Sequence, residues 1–370
     1  MPIVLDGSQG ISTPMYGGAI SSNAVTPVVG MKNRIINGAC VIDQRNAGAS
    51  VAISTTIYCP DRYQIRLVAG SGHTAQQVTT APTGFNNSLK ITVGTGASPT
   101  ATQNGFIYQG IEGYNMADLG WGTANAKTIT VSFWVNSSVT GTYGFVLANN
   151  AGNRAYVTSY TINSANTWEY KTITIAGDTS GTWETTNNLG IQVIFDIGQG
   201  STRSYSASTS WQANDALGLS GGTKLVATSG ATFYITGVQL EVGSTATSFD
   251  YRPYGTELAL CQRYCNVYGE NAYSVFGTWG WAFSSTGFAS ITPFPVEMRA
   301  VPTVSYTGNT RGVNGTDSIA ITSAVFNTSN SNKKIAVVEP SVASGLTVNR
   351  GYTWSANNDA TARVTFSAEL

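Results

Sequence analysis

Apolar and polar residues alternate with a period of two along much of this 370-residue chain. "RYQIRLVAG", "LKITVG", "KTITVSFWVN", "TYGFVLAN", "EYKTITIAGD", "GIQVIFDIG" and "TFYITGVQLEVG" each place every second side chain on one face, the mark of a half-buried strand. Turn residues separate these segments. So many strands in one region predict a two-sheet sandwich rather than a small barrel. No fixed-period repeat appears, which opposes a β-helix or a propeller. Phe133, Phe145, Phe195 and Phe233 lie inside strands and are expected in the core. Trp134 follows Phe133 directly, so one of that pair must face away from the core or into an interface.

The pattern changes at "ELALCQRYCNVYG", which reads as a helix with Leu258, Cys261 and Cys265 on one face and Gly269 as its stop. Pro253-Tyr254-Gly255 marks a boundary before it. A second series of short alternating segments follows, among them "FASITPFPVEM", "TVSYTG", "KIAVVEPS" and "ARVTFSAEL", and predicts a smaller sandwich. "PFPVEMRAVPTVSYTG" reads as edge strand, guarded by proline and charge. Residues 1–31 are rich in Gly, Ser, Thr and Pro without a period and predict an extended arm. The expected architecture is therefore all-β. It comprises an arm at 1–31, a β-sandwich at 32–253, a linker with a short helix at 254–269 and a C-terminal sandwich at 270–370.

One short stretch departs from plain alternation: "KNRIINGACVIDQRNAGAS" at 32–50. Asn37-Gly38 predicts a type I′ hairpin turn. Asp43 and Arg45, two apart, would share a strand face and pair with each other or with Asp61 and Arg62. A half-buried ion pair of that kind fixes register more than it adds stability.

Charge narrows the function classes. Lys+Arg and Asp+Glu are both 19, so there is no electrostatic case for nucleic acid or an anionic membrane. Charged residues are 10% of the chain against about 25% in ordinary soluble proteins, so Ser, Thr, Asn and Gly must keep it in solution. That balance is common on extracellular and viral β-rich surfaces, and the 41 glycines oppose a helix-rich reading. No apolar run reaches about 18 residues, so no transmembrane helix is expected. "MPIVLDGSQGIS" lacks the basic start and apolar core of a secretory signal. Cys40, Cys59, Cys261 and Cys265 fit no zinc spacing beside a single histidine and are expected as free thiols.

Catalytic signals are poor. His73 sits in "GSGHTAQQ" without an acidic neighbour to make it a general base. Asp178, Glu184 and Asp196 offer paired carboxylates for glycoside hydrolysis, but carboxylates near turns are mostly solvated or capping. The expectation is a protein without enzymatic activity. Sugar binding calls for aromatic faces against pyranose C–H groups. Trp121, Trp183, Tyr205 and Trp211 lie in Gly-, Ser- or Thr-rich connections and are the candidate glycan platform. Packing within the domain or against a subunit is the competing reading of each. Tyr264, Tyr268, Tyr273, Phe276, Trp279, Trp281 and Phe283 exceed what a small sandwich can bury. They predict a subunit interface in a cyclic homo-oligomer.

"KNRIINGACVIDQRNAG", "DRY" at 61–63 and "TGVQLEVGSTATSFDYRPYGTELALCQRYC" at 236–265 together resemble a bacteriophage virion family of tail-fibre and receptor-binding proteins. "TWEYKTITIAGDTSGTW" at 167–183 is similar to a run in jelly-roll carbohydrate-binding modules. The resemblance implies a jelly roll at 32–253 and a homotrimer, as fibres commonly are. It implies a protein made in the bacterial host cytoplasm and carried on the virion, where residues 1–31 attach it to a phage tail or capsid protein and the sandwiches meet host cell-surface glycan. A capsid-attached fibre or decoration protein, and a polysaccharide depolymerase, are the alternatives. It also implies a structural calcium held by Asp43, Asp61 and Glu241, against Glu241 pairing with a nearby arginine, and no other cofactor.

Overall fold

All seven alternating segments of the first region are strands, arranged in two six-stranded antiparallel sheets. A computed structural model describes residues 31–370 apart from 279 and 316, together with the strands Val4–Asp6 and Gly10–Ser12. Those two strands pair antiparallel, and the rest of the expected arm, apart from the exposed Met31, lies outside the described residues. One sheet has the order Ala155–Ile162, Gly141–Asn149, Leu189–Asp196, Gly105–Glu112, Gln64–Leu67, Ile57–Tyr58. The other runs Glu169–Ile175, Ile129–Ser137, Thr232–Val242, Ser88–Thr92, Thr74–Val78, Val51–Ala52.

The period-two pattern explains how the sheets meet. Val131, Phe133 and Val135 from one sheet and Phe145, Val193 and Phe195 from the other fill a shared core. Phe133 lies 5.0 Å from Phe195, edge to face, an arrangement aromatic pairs favour. Gly105–Glu112 was not legible as a strand, because all of its residues are buried and no alternation shows. Its Ile107 and Ile111 face the core, while Phe106 and Tyr108 lie on the opposite face beneath Leu217, Leu219 and Tyr205. Near the end of the strand, Glu112 accepts hydrogen bonds from Arg263 and Tyr264. The outer face of this sheet is thus covered by its own chain along Gly105–Glu112.

The C-terminal region holds a three-stranded sheet, in the order Cys265–Gly269, Arg363–Ser367, Thr303–Thr307, and a six-stranded sheet with Asp317–Phe326 inside it. Phe276, Phe288, Tyr352, Trp354 and Phe366 form its separate core. The proline-flanked segment 293–308 lies on edges as expected, since Ser290–Pro293 ends one sheet and Thr303–Thr307 the other. The helix is shorter than predicted, Tyr254–Gln262, and Cys265 opens a strand instead of continuing it. From Cys265 onward the backbone bonds to Arg363–Ser367, so sheet pairing outweighs the local helical pattern. All four cysteines are free and buried.

The Asn37-Gly38 hairpin does not form, and residues 33–42 contain no strand. Asn37 takes a positive φ of 60° and becomes a buried hub. Its side-chain amide donates to the carbonyls of Ile42 and Asp61, its Oδ1 accepts from the Ile42 N–H, and its own N–H donates to Glu257. Asp43 spends its carboxylate on Asn46 and on the Gly48 N–H rather than on Arg45. Arg45 pairs with Asp61 at 3.5 Å and with Glu369 at 3.0 Å, and Arg62 pairs with Glu369 while lying over the Tyr264 ring. The opening cluster therefore clasps the first sandwich to the far end of the chain. Burial raises the Asp61 carboxyl to about 6 against the pull of Arg45.

An aromatic groove as candidate functional site

The predicted glycan platform is not a platform. Trp121 and Trp183 are only 5% and 6% exposed and belong to the core of the sandwich. Trp121, Trp183 and Trp211 pack edge to face, with centroids 4.8, 5.1 and 5.1 Å apart. Each indole N–H is satisfied by protein: Trp121 donates to the Lys127 carbonyl, Trp183 to Asp178 and the Ser180 carbonyl, Trp211 to the Ala176 carbonyl. Loop composition misled here, because these loops fold inward and plug the sandwich. Of the three, only Trp211 keeps partial exposure. Tyr205 lies elsewhere, among the residues covering the other sheet, and donates to Asp215.

The expected interface set divides as well. Tyr264 is buried in the clasp and Phe276 in the C-terminal core, so neither is available to a partner. Tyr268 is half-buried and donates to the Pro293 carbonyl. Tyr273, Trp281 and Phe283 are exposed, and Trp279 lies outside the described residues.

A different aromatic surface does face solvent. On the open sheet Phe133 points into the core, so Trp134 points out, as their adjacency required. Tyr170 pairs across the ladder with Trp134, and their rings lie 5.3 Å apart. Opposite them the segment after the last strand of this sandwich brings Phe249 and Tyr251 onto Phe85, with centroids 4.8 to 5.5 Å apart. Between the two groups lies a groove of about 250 Å³, lined also by Ser132, Gly237, Thr247 and Ser248. Tyr170 is 44% exposed and Tyr251 58%.

Local backbone features shape this groove. Thr232–Val242 carries an irregularity between Thr236 and Gln239, and within it Gly237 has a φ of 62°. A Cβ there would sit 2.6 Å from the Phe85 ring, so glycine lets Phe85 close the wall. Glu241 accepts from the Thr247 N–H and hydroxyl and from Gln239, whose Oε1 in turn accepts from the Asp250 N–H. The Tyr251 hydroxyl donates to the Gly84 carbonyl at the far rim. Four fasteners thus hold the segment 247–251 as a fixed wall.

The proposed metal ligands are not gathered. Glu241 anchors that wall, Asp61 serves the clasp and Asp43 caps its own turn, and no group of three His, Cys, Asp or Glu side chains suited to a metal exists among the described residues. The carboxylates weighed for hydrolysis are also occupied. Asp178 is held by Arg154, Asp196 by Lys224 and three backbone N–H groups, and Glu184 by Thr186. His73 is buried in hydrogen bonds with the Ala69 carbonyl and the Gly94 N–H. Phe85, Phe249 and Tyr251 were missed from sequence, as was Tyr170. For Tyr170 a signal existed, since it shares parity with the exposed Thr172 and Thr174 rather than with the buried Ile173 and Ile175.

No family model and no curated protein matches the chain. Among solved structures it is similar to the enzymatically active domain of tailspike protein 4 from bacteriophage CBA120, at 13% identity and TM-score 0.33, over 57% of this chain and 22% of that one. It is also similar to a carbohydrate-binding module solved with β-1,4-galactotriose, at 10% identity and TM-score 0.28, over 57% and 99% of the two chains. A xylan-binding domain from Paenibacillus barcinonensis is similar at 13% identity and TM-score 0.28, over 49% and 92%. This chain spans less than a quarter of the tailspike domain's length. At TM-scores this low the superpositions are partial, and what the groove can do rests on its own geometry.

Proposed function

We propose that this protein is a non-catalytic glycan-binding component of a bacteriophage virion, a tail-fibre or receptor-binding protein that attaches to host surface sugar. One observation carries the glycan reading: the open sheet presents Trp134 and Tyr170 to solvent, facing a second aromatic wall across a groove with hydroxyl side chains in its lining. Aromatic faces take the C–H side of a pyranose, and hydroxyls orient its oxygens. A binding rather than hydrolytic role is supported by the ion-paired state of Asp178 and Asp196. The virion reading draws on the three sequence blocks that resemble phage fibre proteins, at 32–48, 61–63 and 236–265. Self-association as a trimer would use the exposed Tyr273, Trp281 and Phe283. A glycan array probed with the purified chain, followed by host-cell adsorption in competition with the best hit, tests the proposal. Binding that a soluble hit competes away supports it, and adsorption indifferent to every glycan refutes it.

A further inference from the structure

Resting on the groove as the glycan site, we infer that it selects an uncharged pyranose chain and discriminates against uronic, sialic or phosphorylated sugars. The ground is the charge of its walls. Among the described lining residues every side chain is aromatic or hydroxylic, apart from glycine. Among the described residues, the ionic groups of the flanking segments are committed elsewhere, Asp250 of the wall segment to the Asn33 N–H. Lys171 pairs with Glu169 at 2.6 Å, and Arg252 pairs with Glu257 while donating to the backbone of Asn33 and Ile35. Glu241 is buried in its bonds to Gln239 and Thr247. Lys90 lies by the Tyr234 ring, 5.8 Å from its centroid, and is not part of the lining.

An anionic sugar entering such a groove would shed part of its hydration and meet no cation in return. A neutral ring loses nothing of that kind and gains the full apolar contact. The ring geometry also decides between a sugar and a compact organic cation, the other ligand that aromatic walls attract. Phe249 contacts Phe85 and Tyr251 edge to face, Phe85 and Tyr251 are tilted at 37°, and Trp134 contacts Tyr170 at an interplanar angle of 45°. They form two self-packed walls rather than a cage of faces converging on one point. Two such walls offer aromatic surface to the C–H groups of a pyranose chair.

The test uses the whole chain and matched oligosaccharides of equal length: galactosides against galacturonates, and glucosides against glucuronates, at about 50 and about 500 mM NaCl. The expected result is a neutral member bound about tenfold or more tighter than its uronate twin, with an affinity that moves less than about twofold across the salt range. A uronate bound as tightly as its twin and lost in Trp134→Ala would overturn the selectivity and leave the groove reading standing. Displacement of the neutral ligand by choline at comparable concentration would overturn it as well. Absence of binding to every member, with both neutral and charged arrays silent, would sink the groove reading and this inference together.

Discussion

Two groups of aromatic side chains sit on one sandwich and behave in opposite ways. Trp121, Trp183 and Trp211 come from polar connections yet pack into each other, their N–H groups spent on the protein. Trp134 and Tyr170 come from regular strands yet line an open groove. The neighbours of a residue along the chain tell little about its exposure when a loop can fold over the end of a sandwich. Parity on a strand tells far more, because the backbone forces alternate side chains to opposite faces. The two sheets repeat the contrast. One has its outer face covered by Leu217, Leu219 and Tyr205, and the other leaves its aromatic face accessible.

The sharpest way to break this contrast is to remove a plug residue. Trp183→Ala deletes a buried indole and its bonds to Asp178 and Ser180, and is expected to lower stability by about 3–5 kcal/mol, measured by denaturant unfolding. A loss under about 1 kcal/mol would mean that the triad is dispensable and the plug account wrong. Trp121→Ala should act alike.

Acid–base behaviour should separate the groove from the clasp. The Asp61 carboxyl titrates near 6 in the folded protein against an ordinary 3.8, because burial outweighs the attraction of Arg45. A raised carboxyl holds its proton longer when folded, so its stabilising contribution is complete below about pH 4 and is lost as pH rises through 6. The stability of wild type relative to Asp61→Asn should therefore fall by on the order of 1–3 kcal/mol between pH 4 and pH 7. Glycan affinity should stay flat over the same range, since the described groove lining holds no carboxyl, imidazole or amine. Affinity that follows the stability curve would place the site at the clasp instead.

Smaller effects sharpen the groove itself. Gly237→Ala adds a methyl against the Phe85 ring at a left-handed backbone position, and should cost about 1–2 kcal/mol of stability together with a measurable loss of binding. Unchanged affinity in that variant would show that Phe85 is not part of the site. Tyr170→Ala, at an exposed position, should weaken binding by about 0.5–1.5 kcal/mol and leave the melting temperature nearly unmoved.

Much of this was legible in the chain. The alternating segments became strands, the Phe133-Trp134 step assigned one ring to each face, and the prolines at 293–302 marked sheet edges. Other features depend on contacts that alternation cannot encode. Gly105–Glu112 is buried on both faces and so shows no polar face. Phe249 and Tyr251 reach the groove only because Glu241, Gln239 and the Gly84 carbonyl pin the segment that carries them. The Arg45–Glu369 pair joins residues 324 apart, and no local pattern announces it. Cys265 reads as helical until its partner strand at the other end of the chain is known.

Calorimetric titration of the best array hit into wild type and Trp134→Ala, with the melting temperature of each recorded, decides whether sugar is held by the groove or by the tryptophan plug. With the groove as the site, Trp134→Ala is expected to lose about 1–3 kcal/mol of binding while its melting temperature shifts by only a few degrees. Full-strength binding by a normally folded Trp134→Ala protein would contradict it.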